Sequence, residues 1–299
     1  MVNKDKIVCV GSLNVDITLF TPEFASCDEE RGINNILISS GGAAANIASG
    51  IGRLNKNVYF FGNIGTDSHT KMLLDDFKCD NVKSSILKVT KNPNNSCYSI
   101  VNKESQRIMY AYNHVEFSEK DFPKEFYNGH LKYLIFTSLN KVEIISEYEK
   151  IAIKAKKHNT KIVFSPGNIF VKFGFNKIKK MISLSKFLIL SETEFKILNK
   201  EIKELLKLCP QIIITYGKEG IEYHELNKTV KKFKAYNIKK PVDSTGAGDC
   251  FLAAFISNLA SSNDIEKSID FAMKAAAISV TKKGARSMPT LAEIKKFSI

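Results

Sequence analysis

No apolar run in this chain reaches the roughly 18 residues that a membrane-crossing helix needs. No apolar stretch of leader length follows the charged start Met1–Lys6, so a secretory signal is not expected. The six cysteines (Cys9, Cys27, Cys79, Cys97, Cys209 and Cys250) form no C-x-x-C pair and have no histidine at zinc spacing. That pattern argues against a disulfide scaffold and against a structural zinc site. Neither a G-x-x-x-x-G-K-[ST] phosphate loop nor a G-x-G-x-x-G turn after the first strand is present. No internal repeat, low-complexity linker or second core-forming segment interrupts the chain. The expectation is one reduced, soluble, cytoplasmic domain over residues 1–299, with neither a membrane nor a nucleic acid as partner.

The chain has 44 Lys and Arg against 31 Asp and Glu, a net charge of +13. Its lysines are scattered, with only short clusters such as Lys231-Lys232 and Lys239-Lys240, and no aromatic residues interleave them into a stripe. A solvated basic surface accounts for this, and it would still draw in an anionic nucleotide. At 299 residues, 44% hydrophobic and 25% charged, the chain is long and apolar enough for a large core.

Short apolar runs alternate with amphipathic stretches, which predicts an α/β domain with a largely parallel sheet. Ile7-Val8-Cys9-Val10, Val58-Tyr59-Phe60-Phe61, Tyr133-Leu134-Ile135-Phe136, Lys161-Ile162-Val163-Phe164, Lys186–Leu190 and Gln211–Thr215 read as its strands. A helix is expected around Glu143 to His158, and another is expected to begin at Gly62–Asp67. Two regions lack separating helices: Ile17 to Ser40, with a strand at Ile33–Ile38, and the hairpin of Cys97–Val101 with Arg107–Tyr112. They fit the parallel sheet poorly.

Late in the chain, Asp243-Ser244-Thr245-Gly246-Ala247-Gly248-Asp249 precedes the apolar run Phe251–Ile256, which reads as a buried helix. Small residues at a helix start let backbone N–H groups approach an anion, and the helix dipole favours negative charge there. Asp249 would repel that anion unless it takes a proton from a hydroxyl while the amides hold the phosphoryl group being transferred. For Gly-Ala-Gly-Asp alone, a glycine turn with an acidic first helical turn explains as much.

Over its full length this string resembles the C-terminal signature of the ribokinase-like (PfkB) family of sugar and nucleoside kinases. Gly41-Gly42-Ala43-Ala44-Ala45-Asn46 resembles the same family's first signature, and the likeness extends from about Ile7 to Pro289. The fold implied is a three-layer α/β/α sandwich with a largely parallel central sheet. A small β lid would be formed by segments of about 16–40 and 96–113. The activity implied is transfer of the γ-phosphate of ATP to a primary hydroxyl of a nucleoside or sugar. Asp249 would be the base, and Gly246, Ala247 and Gly248 the anion hole. Asn14, Asp16, Gly41, Gly42 and Asn46 would hold the acceptor. Ser191, Thr215, Gly217, Gly220 and Gly248 would line the ATP site, with Glu194 organising Mg²⁺ through water.

Ser191 stands where the family carries Asn, and a capping Ser with Glu194 three residues on is a structural alternative. Met273 stands where an Asn often lies near the adenine. Asp243, Thr245 and Ser287, with the carbonyls of Ser279, Lys282 and Gly284, resemble a potassium site. Ala43 replaces the Lys usual in ribokinases and leaves a more open wall. A nucleoside such as adenosine is therefore slightly favoured over a ribokinase- or fructokinase-type sugar, its base meeting Phe20, Tyr98 or Tyr112. Those aromatics would equally serve as the lid's own core. A homodimer through the lid is a further implication. A catalytically dead binding module and a nucleotide-binding regulatory protein are the alternatives. The intact Asp249 and glycines count against the first, and the acceptor-side residues against the second.

Overall fold

The computed structural model describes residues 5–104 and 106–297; the leader reading at Met1–Lys4 falls outside them. Period-two burial decides the architecture. In the strand Lys6–Val10, Ile7 and Cys9 join one apolar cluster while Val8 and Val10 join another. Gln211–Thr215 divides the same way, with Ile213 on one side and Ile212 and Ile214 on the other. A strand apolar on both faces must be covered on both. The helices Ala43–Arg53, Ala247–Ser262 and Ile265–Ser279 supply residues to the first cluster; Ile144–Lys156 and Phe175–Leu184 supply the second.

The sheet between these layers has nine strands. Their order is Lys231–Phe233, Ile221–Glu225, Gln211–Thr215, Phe187–Ser191, Lys161–Ser165, Leu131–Thr137, Lys6–Val10, Val58–Phe61 and Val82–Lys83. All pairs are parallel from Gln211–Thr215 onward, and the two strands before it are antiparallel. This is the three-layer arrangement expected. Among the described residues all six cysteines are free, and no helix is long and apolar enough to cross a membrane.

A separate sheet of four strands stands apart, ordered Asn35–Gly41, Asn14–Phe20, Asn95–Val101 and Arg107–Tyr112. The expected hairpin is present, pairing Tyr98 with Tyr110. The strand expected at Ile33–Ile38 instead runs from Asn35 through Gly41 and so delivers the Gly-Gly pair directly from the sheet. Asn14–Phe20 is the fourth strand of this sheet, paired with both neighbours. Strand alternation places Asp16, Thr18 and Phe20 on one face and Val15, Ile17 and Leu19 on the other. Tyr98 pairs with Ile17, and Tyr112 pairs with Ser96, which pairs with Val15. Tyr98 and Tyr112 therefore lie on the face opposite Asp16. Of the three aromatics expected to meet an acceptor base, only Phe20 shares the face of Asp16, four residues further along.

The helix expected at Gly62–Asp67 begins only at Thr70. Asn63–Ile64 is instead a short strand paired with Lys88–Val89. Asp67 accepts hydrogen bonds from the Asn94 backbone (2.7 Å), the Asn94 amide (2.7 Å) and the His69 backbone (2.9 Å), which tie the stretch to a distant loop. A tertiary anchor has overridden the local helix signal.

Candidate active site

Two helices bring Asn46, expected to hold the acceptor, and the expected base together. Ala247–Ser262 starts after Gly246, whose φ of 76° lies in the left-handed region. A Cβ at Gly246 would overlap the carbonyl oxygen of Ala285, so only glycine admits that neighbour. The run Phe251–Ile256 is buried throughout, which fixes the helix against its surroundings. Beside it lies Ala43–Arg53, entered through Gly42 at φ 94°. The approach is close: a Cβ on Gly50 would sit 2.7 Å from the Cβ of Ala253. Asn46 lies four residues before Gly50 and Asp249 four before Ala253, so one turn back the two side chains face each other. The Asn46 Nδ2 donates to Asp249 Oδ2 at 2.9 Å.

Burial pushes the Asp249 carboxyl up to about 7. The Asn46 hydrogen bond opposes that rise, and the negative charges of Glu194 and Asp16 add to it. Asp16 is likewise pushed up by burial, to about 6, against the pull of the Arg286 guanidinium. Gly41 lies against Asp16 so closely that a Cβ there would collide with the carboxylate, which explains the glycine. The Asn14 Oδ1 is buried without a hydrogen-bond partner, and so is the Thr137 Oγ1. Buried polar atoms without partners are uncommon, and at this end of the sheet they suit a ligand rich in hydroxyls.

On the other side of Gly248 opens a cavity of about 600 Å³. Thr215, Gly217, Gly220, Ala247, Gly248 and Met273 are among its lining residues, whereas Ser191 is not. Ser191 caps the helix Glu192–Leu198 in a reciprocal box: its Oγ accepts from Glu194 N at 3.3 Å, and Glu194 Oε2 accepts from Ser191 N at 3.0 Å. The structural alternative for this pair is thus present. Burial raises the Glu194 carboxyl, with the Ser191 hydrogen bonds opposing it. Glu194 and Asp249 repel each other, so a divalent cation between nucleotide and protein would relieve both. Among the described residues no three His, Cys, Asp or Glu side chains gather as a metal cluster. A Mg²⁺ ion here would therefore depend chiefly on phosphate and water ligands.

Asp243, Thr245 and Gly284 lie together, joined through the Thr245 and Gly284 N–H groups rather than the Gly284 carbonyl expected to face a cation. The Asp243 Oδ1 accepts from Thr245 N and its Oδ2 from Gly284 N, both at 2.9 Å. The Ser279 carbonyl accepts from Lys282 N at 3.0 Å, while the Lys282 ammonium reaches Glu293 at 2.5 Å. Ser287 is buried nearby in sequence to both. Sequence reasoning passed over Arg286 and Thr137. An Arg directly after Gly284-Ala285 and before the apolar Met288-Pro289 was a visible oddity; Thr137 carried no signal beyond ending a strand.

The chain matches the family described as pfkB family carbohydrate kinase over residues 4–291. It is 28% identical to a ribokinase from Staphylococcus aureus, covering 98% of this chain and 99% of that one. It is 25% identical to a nucleoside kinase from Methanocaldococcus jannaschii, covering 96% and 94%. A ribokinase structure from Thermotoga maritima superposes with a TM-score of 0.85 at 23% identity, covering 97% of this chain and 98% of that one. With two signatures meeting at one hydrogen bond and a family match over nearly its whole length, this chain belongs to the pfkB family of carbohydrate kinases.

Proposed function

We propose that this kinase transfers the γ-phosphoryl group of ATP in line to the primary hydroxyl of a pentose unit, either a free sugar or the ribose of a nucleoside. The observation that carries the reading is the Asn46–Asp249 hydrogen bond, which joins the acceptor residues to the base at the rim of the nucleotide cavity. Asp16, Asn14, Asn46 and the Gly41-Gly42 backbone hold the acceptor hydroxyls. Asp249 takes the proton from the attacking oxygen as the P–O bond forms. A carboxyl poised near 7 is matched to that task. The amides of Gly246, Ala247 and Gly248 stabilise the charge on the transferring group. The lid covers the acceptor and keeps out water that would compete for the phosphoryl group.

Mg²⁺, when bound, neutralises the nucleotide phosphates, and Glu194 would hold it through water. The loop of Asp243, Thr245, Ser279, Lys282, Gly284 and Ser287 is assigned to K⁺, whose role is to order the anion hole. A cytoplasmic location and pairing of two copies through the lid complete the reading. In support of the pairing, Ile36, Ile38, Tyr98, Ile108 and Tyr110 are exposed on the lid face opposite Asp16.

Nucleoside and free sugar divide on one feature. Ala43 leaves the wall beside Gly42 without a long cationic chain, which favours a base; the turning away of Tyr98 and Tyr112 removes two of its stacking partners. Comparing kcat/KM for adenosine, guanosine, cytidine, ribose and fructose tests the reading. ATP turnover with none of them overturns it. A best sugar more than about tenfold above every nucleoside, or about 1.4 kcal/mol, assigns the site to sugars.

A further inference from the structure

The Asn46 amide has two neighbours with fixed and opposite demands. Its Nδ2 donates to Asp249, and its Oδ1 accepts from Arg286 Nε at 3.2 Å. A guanidinium only donates and a carboxylate only accepts, so one orientation of the amide satisfies both. Arg286 is itself held on two sides. Its carbonyl accepts from Arg53 Nη1 at 2.6 Å, and Arg53 Nε pairs with Asp80 at 2.5 Å. Its guanidinium carbon lies 5.5 Å from the centre of the Phe77 ring. Meanwhile its Nη1 and Nη2 are buried and have no hydrogen-bond partner, which leaves Asn46 as the side-chain acceptor it engages.

We propose that Arg286 is a positioning residue for phosphoryl transfer, locking the Asn46 amide so that Asn46 donates to the base. Without it, nothing holds Oδ1 away from the base, and a protonated Asp249 can donate to Oδ1 as readily as an ionised one accepts from Nδ2. The acid form of the base is then stabilised, and the orientation in which Asn46 donates to it is no longer enforced. The placement also connects the halves of the site, because the residue before Arg286 is the Ala285 whose carbonyl abuts Gly246. One loop thus touches the anion hole on one side and the base's partner on the other. An anion-binding role for the free Nη groups is disfavoured by their surroundings. Asp80, Asp76 and Asp16 all lie within electrostatic reach of Arg286, against Arg53 alone of like sign.

The inference rests on the kinase reading but is tested without turnover, by titrating the Asp249 carboxyl by carbon-13 NMR in the nucleotide-free protein. The charged groups facing Asp249 are Glu194 and Asp16, and those facing Arg286 are Asp80, Asp76, Arg53 and Asp16. Arg286→Ala and Arg286→Met, neither of which can donate to Asn46, should raise the Asp249 midpoint by about one pH unit, and Arg286→Lys should restore the greater part. In turnover, Arg286→Ala should lower kcat about 10- to 100-fold and move the acid limb of kcat/KM upward, with ATP affinity within twofold. Added to Asn46→Leu, Arg286→Ala should cost nothing further. An unmoved Asp249 midpoint in the folded Met variant, or losses that multiply in the double mutant, would overturn the proposal. Should the Ala variant not fold, the Lys and Met pair carries the same comparison. A shifted midpoint with no turnover on any acceptor would leave this assignment standing and sink the kinase reading instead.

Discussion

The two ends of the cleft are built from different materials. The end proposed for the nucleotide is backbone and apolar surface: Gly217, Gly220, Ala247, Gly248 and Met273 shape a cavity with few side-chain charges of its own. The end proposed for the acceptor is made of polar side chains that constrain one another, namely Asp16, Asn46, Asp249 and Arg286, several with proton affinities displaced by burial. Backbone recognition tolerates substitution of side chains but not of backbone angles. A network of side chains tolerates neither loss nor change of protonation. The consequence is a division of labour: pH and charge should act on the acceptor end, and conformation on the nucleotide end.

The largest expected break in that contrast is Asp249→Asn. It should lower kcat by at least the ~10²- to 10⁴-fold of a lost general base while ATP binding survives. The same change should make the protein more stable at pH 8. The folded carboxyl is raised to about 7 from its ordinary 3.8, so ionising it in the fold is unfavourable. That penalty is complete above pH 7, shrinks as the pH falls and disappears near pH 4. Melting curves at pH 8 and pH 4 should show a gain of a few degrees at the first and none at the second. For the wild-type enzyme, kcat/KM should fall as the pH drops below about 7, where Asp249 takes up its proton, and more steeply below about 6, where Asp16 follows. A flat profile from pH 5 to 8 would remove the acceptor end's supposed sensitivity.

Next in size is Asp16→Asn, which should raise the acceptor KM about 10- to 100-fold by weakening hydrogen bonds to a charged group. Its ATP affinity should not move; a matching loss of ATP binding would show that the two ends are not separable. On the opposite side, Gly246→Ala meets both a left-handed backbone and the Ala285 carbonyl. Roughly 1–3 kcal/mol of strain should appear as about a tenfold or greater loss in kcat without a shift in the pH profile. A pH shift in that variant would contradict the contrast. The smallest effect expected is from the monovalent cation. K⁺ should stimulate several-fold over Li⁺ at matched ionic strength, by ordering the loop between Asp243 and Ser287. Equal rates in K⁺ and in a bulky organic cation would withdraw that loop from the mechanism.

The central sheet was legible because its strands are apolar runs buried on both faces, and the pattern survives without knowledge of the neighbours. Asn14–Phe20 alternates polar and apolar residues just as plainly, yet reading Asn14 and Asp16 as strand-end ligands hid the lid strand that carries them. The late start of the helix at Thr70 was hidden for a different reason, since the Asp67–Asn94 bonds that delay it span 27 residues. At the candidate site, Asp249 and Asn46, which meet in one hydrogen bond, were singled out through resemblance to two signatures. Arg286 was not: an Arg after Gly284-Ala285 stands out, but the partner that would explain it lies 240 positions away. Which lid aromatics share a face with Asp16 depends on strand register, and that is set only once the strands pair.

The same long span governs how the molecule can be made. The strand Lys6–Val10 lies between Val58–Phe61 and Leu131–Thr137, and the helix Ala43–Arg53 is covered by a helix that begins at Ala247. The first fifty residues thus emerge from the ribosome long before the segments that cover them. At ordinary synthesis rates, the 203 positions between Asn46 and Asp249 take roughly 10–40 s to produce. Throughout that interval an apolar helix face waits without its partner, and the contacts that close the N-terminal side are among the most non-local in the fold. Transiently exposed apolar surface of this kind is prone to aggregation, and the same helix pairing that covers it brings Asn46 to Asp249.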